Sequence, residues 1–262
     1  MIKRVSILAL ILLLVGIIGS LFTMKTQYNQ AETLKEKVVE KTDFTNIDIY
    51  TNNAEIIVLP TKDETAKIEL LGDPSRYELT SDVTDNTLRV DVKLKREKIF
   101  SFDLFSSVQS LTVHIPQKVY ENIQVESNNG RIELGDLEGN EIEVLTDNGR
   151  IELTNIAANL VKAKTNNGRI EMENIAGEIV GESDNGKISF ITESLDQPIE
   201  LQTDNGQIDV QSKSQPTNAV LDLKTDNGKV RVFGESNWGA VIGNGENIIK
   251  LTTGNGNITI SN

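Results

Sequence analysis

The chain has 262 residues, with 39 acidic against 26 basic side chains, a formal net charge of −13 and only 5% aromatic residues. That balance disfavours nucleic acid, whose binders carry basic patches, disfavours adsorption to anionic lipid, and suits solubility, a cationic ligand or a divalent metal. There is no cysteine, which excludes disulfides, thiolate metal sites, a cysteine nucleophile and lipoprotein attachment.

The first predicted element is apolar. Residues 1–4 form a basic cytoplasmic stub with Lys3 and Arg4, and 5–23 are predicted to be a transmembrane helix: Val5 to Phe22 is an uncharged run of 18 residues. As a helix this run is about 27 Å long, close to the hydrocarbon thickness of a bilayer. A secretory signal has a shorter apolar core and a small-x-small cleavage site. Gly19, Ser20 and Thr23 match that site poorly, so an uncleaved anchor is expected, with a cleaved signal as the alternative. The positive-inside rule keeps Lys3 and Arg4 in the cytoplasm. The expectation is a single-pass protein of the cell membrane with its C-terminal domain extracytoplasmic. Residues 24–41 are polar, of mixed charge and helix-tolerant, and are assigned to a juxtamembrane linker.

From Phe44 the pattern turns to strands. Ile47, Ile49, Ile56 and Val58 alternate with polar neighbours, as do Leu88, Val90 and Val92, then Leu111, Val113 and Ile115. A period of two marks half-buried strands. No strict repeat governs 42–121, which is assigned to an irregular β cap that starts a stack, since terminal layers must shield an open end. The aromatic run Phe100–Phe105 is expected to fold onto the first layer. His114, the only histidine, sits in an alternating strand with no acid–base partner suggested by sequence.

Residues 122–262 are repetitive. An eight-residue phrase recurs seven times, from SNNGRIEL at Ser127 to TGNGNITI at Thr253, with glycines 19, 19, 18, 20, 22 and 28 residues apart. Such a period in strand-like sequence marks a stacked β architecture. The predicted fold is all-β, a β-solenoid or β-helix-like stack. Two residues after the glycines stand Ile132, Ile151, Ile170, Ile188, Ile208, Val230 and Ile258, and four after them Leu134, Leu153, Met172, Phe190, Val210, Val232 and Ile260. Two more apolar columns lie before them, headed by Ile123 and Val125. Leu137, Ile156 and Ile175 suggest a fifth column, lost in later layers. Each layer therefore sends four side chains inward, and its apolar rows need neighbours on both sides. The step holding Phe233 and Trp238 is expected to fold back over the C-terminal end.

The turns are predicted at Asn129-Gly130, Asn148-Gly149, Asn167-Gly168, Asn185-Gly186, Asn205-Gly206, Asn227-Gly228 and Asn255-Gly256. Asn and Gly both tolerate positive φ, which makes the pair a strong turn signal. The Ser or Thr three residues before each glycine shares the parity of the inward side chains, and its hydroxyl can satisfy turn backbone groups.

One outward stripe is a candidate binding surface for glycan or an envelope partner. Its first column is Arg131, Arg150, Arg169, Lys187, Gln207, Lys229 and Asn257; its second includes Glu133, Glu152 and Glu171. A solvated face whose two columns neutralise each other is the competing explanation, because adjacent opposite charges offset the repulsion along each column. Asp147, Asp184, Asp204 and Asp226 could together hold calcium, but Asn128, Asn166 and Gly254 interrupt them, and turn preference alone accounts for Asp and Asn there. No nucleophile elbow, phosphate loop or metal-ligand pair occurs, and no catalytic, cofactor-binding or metal residue is assigned. The expectation is a non-enzymatic protein without a cofactor, whose partner is an envelope protein or wall polymer and not nucleic acid. The alternatives are a calcium-dependent adhesin or a wall glycan-processing enzyme.

The run LTVHIPQKVYENIQVESNNGRIEL, the serial TDNG phrases and the ending VIGNGENIIKLTTGNGNITI resemble the toast-rack-like, adhesin-labelled β-strand-repeat family of unknown function. The similarity covers about residues 43–262. It resembles in particular the LiaG-type membrane-anchored members of Gram-positive bacteria. The resemblance implies a stacked β domain tied to a membrane helix and linked to the cell-envelope stress response, and it implies no catalytic residue. Ala54 and Gly254 depart from the turn pattern.

Overall fold

The computed structural model describes residues 33–72, 76–95, 109–236 and 239–262. The predicted stub and transmembrane helix, the Phe100–Phe105 cluster and Trp238 lie outside these residues. Among the described residues no helix is long and apolar enough to cross a membrane. The fold is all-β, a single mixed and nearly closed sheet of twenty strands.

Most strands pair up as the two arms of a layer that bends at an Asn-Gly corner. The arms entering a corner are β2 (Asn46–Thr51), β8 (Val119–Ser127), β10 (Glu138–Thr146), β14 (Ile199–Asn205), β16 (Ala219–Asn227) and β19 (Asn247–Asn255). The arms leaving one are β3 (Ala54–Thr61), β9 (Ile132–Gly135), β13 (Ile188–Thr192), β15 (Ile208–Ser212), β17 (Val230–Val232) and β20 (Ile258–Ser261). Two long strands, β11 (Ile151–Thr165) and β12 (Ile170–Ser183), leave one corner and enter the next without a break, joining the two faces into one sheet. The remaining strands are β1 (Thr33–Val39), β4 (Ala66–Gly72), β5 (Tyr77–Thr84), β6 (Thr87–Leu94), β7 (Gln109–Pro116) and β18 (Val241–Ile242).

Layers stack by parallel pairing in strict register. Ile123, Ile142, Val161, Ile179 and Ile199 are successive partners on one face, and Ile132, Ile151, Ile170, Ile188 and Ile208 on the other. All ten are fully buried. A parallel ladder puts identical positions side by side, so a period in sequence becomes a column in space. The fifth column runs further than expected: Leu195, twenty residues after Ile175, is as buried as Leu137, Ile156 and Ile175 and belongs to the same core. The 18-residue step is absorbed by a bulge between Ala157 and Leu160. Opposite it, Gly177 takes φ +112° and brings its Cα against the Ala158 carbonyl.

The order of layers does not follow the chain. The C-terminal repeat, β19 with β20, lies between β14/β15 and β16/β17. At the other end β2/β3 lies between β8/β9 and the β6/β7 pair. The segment 42–121 thus supplies two in-register layers, not only an irregular cap. The outer position of β16/β17 follows from its charges: Lys224, Asp226, Lys229 and Arg231 suit an edge facing solvent, whereas the last repeat has Thr252, Gly254, Asn257 and Thr259 at those places. Accordingly Leu223 and Val230 are only half-buried, while Leu251 and Ile258 are fully buried. Beyond β16, β18 adds a two-residue antiparallel edge, so part of the long insertion does lie at this end.

At the opposite end β5 pairs antiparallel with β6, β4 with β7, and β1 with β4. The linker assigned to 24–41 therefore ends in a strand. Its polar composition hid β1, which pairs along one edge and exposes Leu34 and Val38. Lys37 Nζ donates to the Ser81 carbonyl at 2.5 Å, bridging β1 to β5. Phe44 stacks on Tyr120, and Lys118 lies over both rings while donating to the carbonyls of Thr42 and Phe44. Burial lowers the Lys118 amine from its ordinary value.

The corner glycines overturn one expectation. None of the seven has a positive φ. They are glycine because layers touch there: a Cβ on Gly168 would sit 1.7 Å from the Gly149 carbonyl oxygen, and one on Gly186 1.6 Å from that of Gly168. Ala54 is accommodated because its pairing partner below is Gln109, not another corner glycine. Gly168→Ala should cost about 3 kcal/mol or more, since backbone must move apart. Gly239→Ala, where the nearest atom would be 3.9 Å away, should stay within about 0.5 kcal/mol. Urea unfolding of the two variants checks the contrast.

Candidate functional site

The corner column carries two side-chain ladders. Behind most corners the Ser or Thr hydroxyl donates to the glycine carbonyl of the neighbouring layer, as from Ser183 to Gly168 at 3.2 Å, Thr203 to Gly186 at 3.0 Å and Thr253 to Gly206 at 2.9 Å, all three buried; Ser127 donates instead to the Ala54 carbonyl at 3.4 Å, and the buried Thr146 hydroxyl has no partner among the described residues. In front of it the turn asparagines form a continuous chain. Asn227, Asn255, Asn205, Asn185, Asn167, Asn148 and Asn129 each donate Nδ2 to the Oδ1 of the next, ending on Asn53, at 2.8–2.9 Å. A second corner repeats the device: Asn155 donates to Asp136 and Asn174 to Asn155, all three at φ 54–57°. The positive-φ role thus falls to these residues, which the sequence offered only as a 19-residue spacing.

The outward stripe follows the face that leaves the Asn-Gly corner. Backbone hydrogen bonds run from Ile132 to Arg150, Ile151 to Arg169, Ile170 to Lys187, Ile188 to Gln207, Ile208 to Asn257 and Ile258 to Lys229, which fixes the order of the column. Its charges pair within and between layers. Arg131 contacts Glu55 at 3.5 Å, Glu133 at 3.0 Å and Glu152 more closely still. Arg150 reaches Glu152 and Arg169 reaches Glu171, both at 3.1 Å, and Lys187 crosses to Asp209 at 2.5 Å. The hydrogen bond that Arg131 donates to Glu152, with the surrounding carboxylates, raises the guanidinium pKa above its ordinary value. The intercalated repeat contributes neutral Asn257 and Thr259, which separate Asp209 from the basic pair Lys229 and Arg231 at the outer end. There Lys229, Val230, Arg231, Gly234 and Ser236 line a shallow depression.

The aspartate column is interrupted in the stack, although in a different order from the sequence: Asn166 separates Asp147 from Asp184, while Asp184 and Asp204 lie in adjacent layers. Asp147 accepts from Asn166 Nδ2 at 3.2 Å, and Gly254 stands between the layers of Asp204 and Asp226. Among the described residues no three His, Asp or Glu side chains cluster closely enough to share a metal ion. His114 does have an acidic neighbour: its Nε2 lies 3.8 Å from Glu69 on β4. Glu69 also pairs with Lys67 at 2.6 Å, and that bond lowers its carboxyl from the ordinary value. Antiparallel pairing of β4 on β7 brings them together, a contact no local motif could signal.

Two outcomes follow. Asn167→Ala removes two ladder bonds and should cost about 1–2 kcal/mol; Asn227→Ala, at the end of the column with one, should cost about half as much. Chemical denaturation of both variants reads the ratio. Arg131→Gln leaves three carboxylates facing one another and should destabilise by about 1 kcal/mol at low salt, an effect that shrinks in 1 M salt. Melting temperatures measured across that salt range test it.

Residues 44–181 and 166–261 match the Toastrack DUF4097 family. No curated protein matches. Among solved structures the chain is similar to a candidate cell adhesion protein from Clostridium sporogenes, at 14% identity over 88% of this chain and 99% of that one, TM-score 0.48. It is also similar to a candidate adhesin from Bacteroides fragilis, at 16% identity over 88% and 98%, TM-score 0.49. A third, from Parabacteroides merdae, has 14% identity over 88% and 97%, TM-score 0.42. At these identities and scores the similarities assign no activity. The two family matches overlap and together span 44–261, so the chain belongs to the Toastrack DUF4097 family.

Proposed function

We propose that this protein is a non-enzymatic, membrane-tethered scaffold of the cell envelope, an adhesin-like module whose solenoid-like stack binds an extended envelope protein or wall polymer outside the cytoplasm. The observation behind this reading is the register of the stack. Parallel pairing repeats each outward chemical group at intervals of about 4.8 Å, which suits a partner that is itself extended or repetitive better than a small substrate. The stripe from Arg131 to Lys187 offers paired cations and carboxylates in that spacing, and mutual neutralisation leaves it suited to polar, hydrogen-bonding partners. The tether rests on the uncharged run from Val5 to Phe22 behind Lys3 and Arg4. A LiaG-type anchor and a link to envelope stress belong to the same reading.

The test uses the full chain solubilised in detergent and immobilised. It should retain a specific protein or wall polymer from solubilised envelopes. A variant with Arg131, Arg150 and Arg169 all changed to Gln should lose at least tenfold of that retention. On intact cells stripped of wall, added protease should degrade the stack. Chelator should leave the melting temperature unchanged; a fall would favour the calcium-dependent alternative. Empty retention together with release of sugar from wall glycan would overturn the scaffold in favour of an enzyme.

A further inference from the structure

The C-terminal repeat sits in a slot with equivalent walls. Ile249 lies opposite Ile199 on one side and Leu221 on the other; Leu251 lies between Leu201 and Leu223, Thr253 between Thr203 and Thr225, and Asn255 between Asn205 and Asn227. Beyond the corner, Ile258 lies between Ile208 and Val230, and Ile260 between Val210 and Val232. The polar contacts are equally repetitive. Thr253 donates to the Gly206 carbonyl and Thr225 to that of Gly256, both at 2.9 Å. Asn255 donates to Asn205 at 2.8 Å and accepts from Asn227 at 2.9 Å. Every one of these contacts is made phrase to phrase. The slot selects a Thr-x-Asn-Gly repeat with aliphatic residues at fixed places, whichever copy of the chain supplies it.

The connection to this repeat is built differently from the others. Six residues join β15 to β16, whereas fourteen separate Val232 from Asn247. Two stretches of reversed backbone punctuate it, at Phe233 and Gly234 (φ 49° and 86°) and at Gly243 and Gly245 (φ 62° and 72°). Among its described residues, strand pairing to the stack is limited to Val241 and Ile242 on β16 and a bridge from Val232 to Glu235, with further hydrogen bonds from Phe233 to the Ile260 carbonyl, from Leu221 to the Ala240 carbonyl and between Glu246 and Asn218. Fully extended, fourteen residues span about 45–50 Å, enough to carry the repeat away from its own stack.

We propose that the position between β14/β15 and β16/β17 is an exchangeable binding site, and that a second copy of this chain can fill it with its own residues 247–261, giving a strand-exchanged dimer. The exchanged form reproduces the ladder contacts of the monomer and changes the path of the connection, which is what makes exchange of identical elements an inexpensive route to dimers. Concentration then sets the balance, because the tethered repeat competes at its effective local concentration with the repeat of another molecule. β16/β17 closes over whichever repeat occupies the slot.

The chain contains no cysteine, so one engineered pair reports the exchange without background. Gln202 and Thr252 are direct partners across β14 and β19. Full chains carrying Gln202→Cys alone and Thr252→Cys alone are mixed unfolded, refolded in detergent with micelles in excess of protein, and oxidised. Exchange is expected to give a disulfide between residues 202 and 252 of different chains, identified by peptide mapping. In the double variant, the covalent dimer should gain on the internally linked monomer roughly tenfold for each tenfold rise in refolding concentration. Monomer alone at every concentration, with no 202–252 link between chains, would overturn the proposal. Should the cysteine variants fail to fold, the natural sequence carrying two different affinity tags is co-refolded: sequential capture of both tags supports exchange, and recovery of one tag only rejects it.

Discussion

The structure depends on how closely parallel backbones approach at the Asn-Gly corner. Elsewhere in a sheet, neighbouring strands leave room for side chains above and below. Here the glycine Cα of one layer faces the glycine carbonyl of the next so closely that even a methyl group has no space. That approach lets the buried hydroxyl reach the same carbonyl from behind and the asparagine amide reach its counterpart in front. Register follows directly. A layer slipped by one residue would set a Cβ against a carbonyl, break both ladders and turn its aliphatic side chains outward.

Much of this arrangement was legible in the amino-acid order because a parallel ladder converts spacing into contact. The inward parity of Ile132, Leu134, Ile123 and Val125 predicted their burial, and Ala54 was recognisable as a departure from the turn pattern. The order of layers was not, since every phrase is complementary to every other. The one discriminating signal is the distribution of charge: Lys224, Lys229 and Arg231 mark the sixth phrase as an edge, and the uncharged seventh is suited to the interior. The role of the glycines was also obscured, because a residue selected for lack of a side chain looks the same whether the need is dihedral freedom or space. β1 escaped notice for a different reason: a single polar edge strand has no half-buried alternation to display.

The stripe was visible as a pattern but not as a network. Sequence places Arg131 two residues from Glu133; only the stacking shows that it also meets Glu55 and Glu152 from the layers on either side. Electrostatically the face is neutral along its middle and basic at the outer end, where Lys229 and Arg231 stand beyond a neutral layer. The boundary between these regions is set by the intercalated repeat. The layer order that escapes local sequence logic therefore also shapes the surface offered to a partner.

The asparagine column has a sense as well as a position. Every one of its amides donates its hydrogen bond in the same direction, from Asn227 toward Asn53. Aligned amides polarise one another, and their dipoles add along the axis. Among the described residues the corner thereby carries an oriented row of side-chain dipoles, an alignment more familiar from the peptide groups of a helix, and a molecule approaching one end of the column meets it in the opposite orientation from one approaching the other.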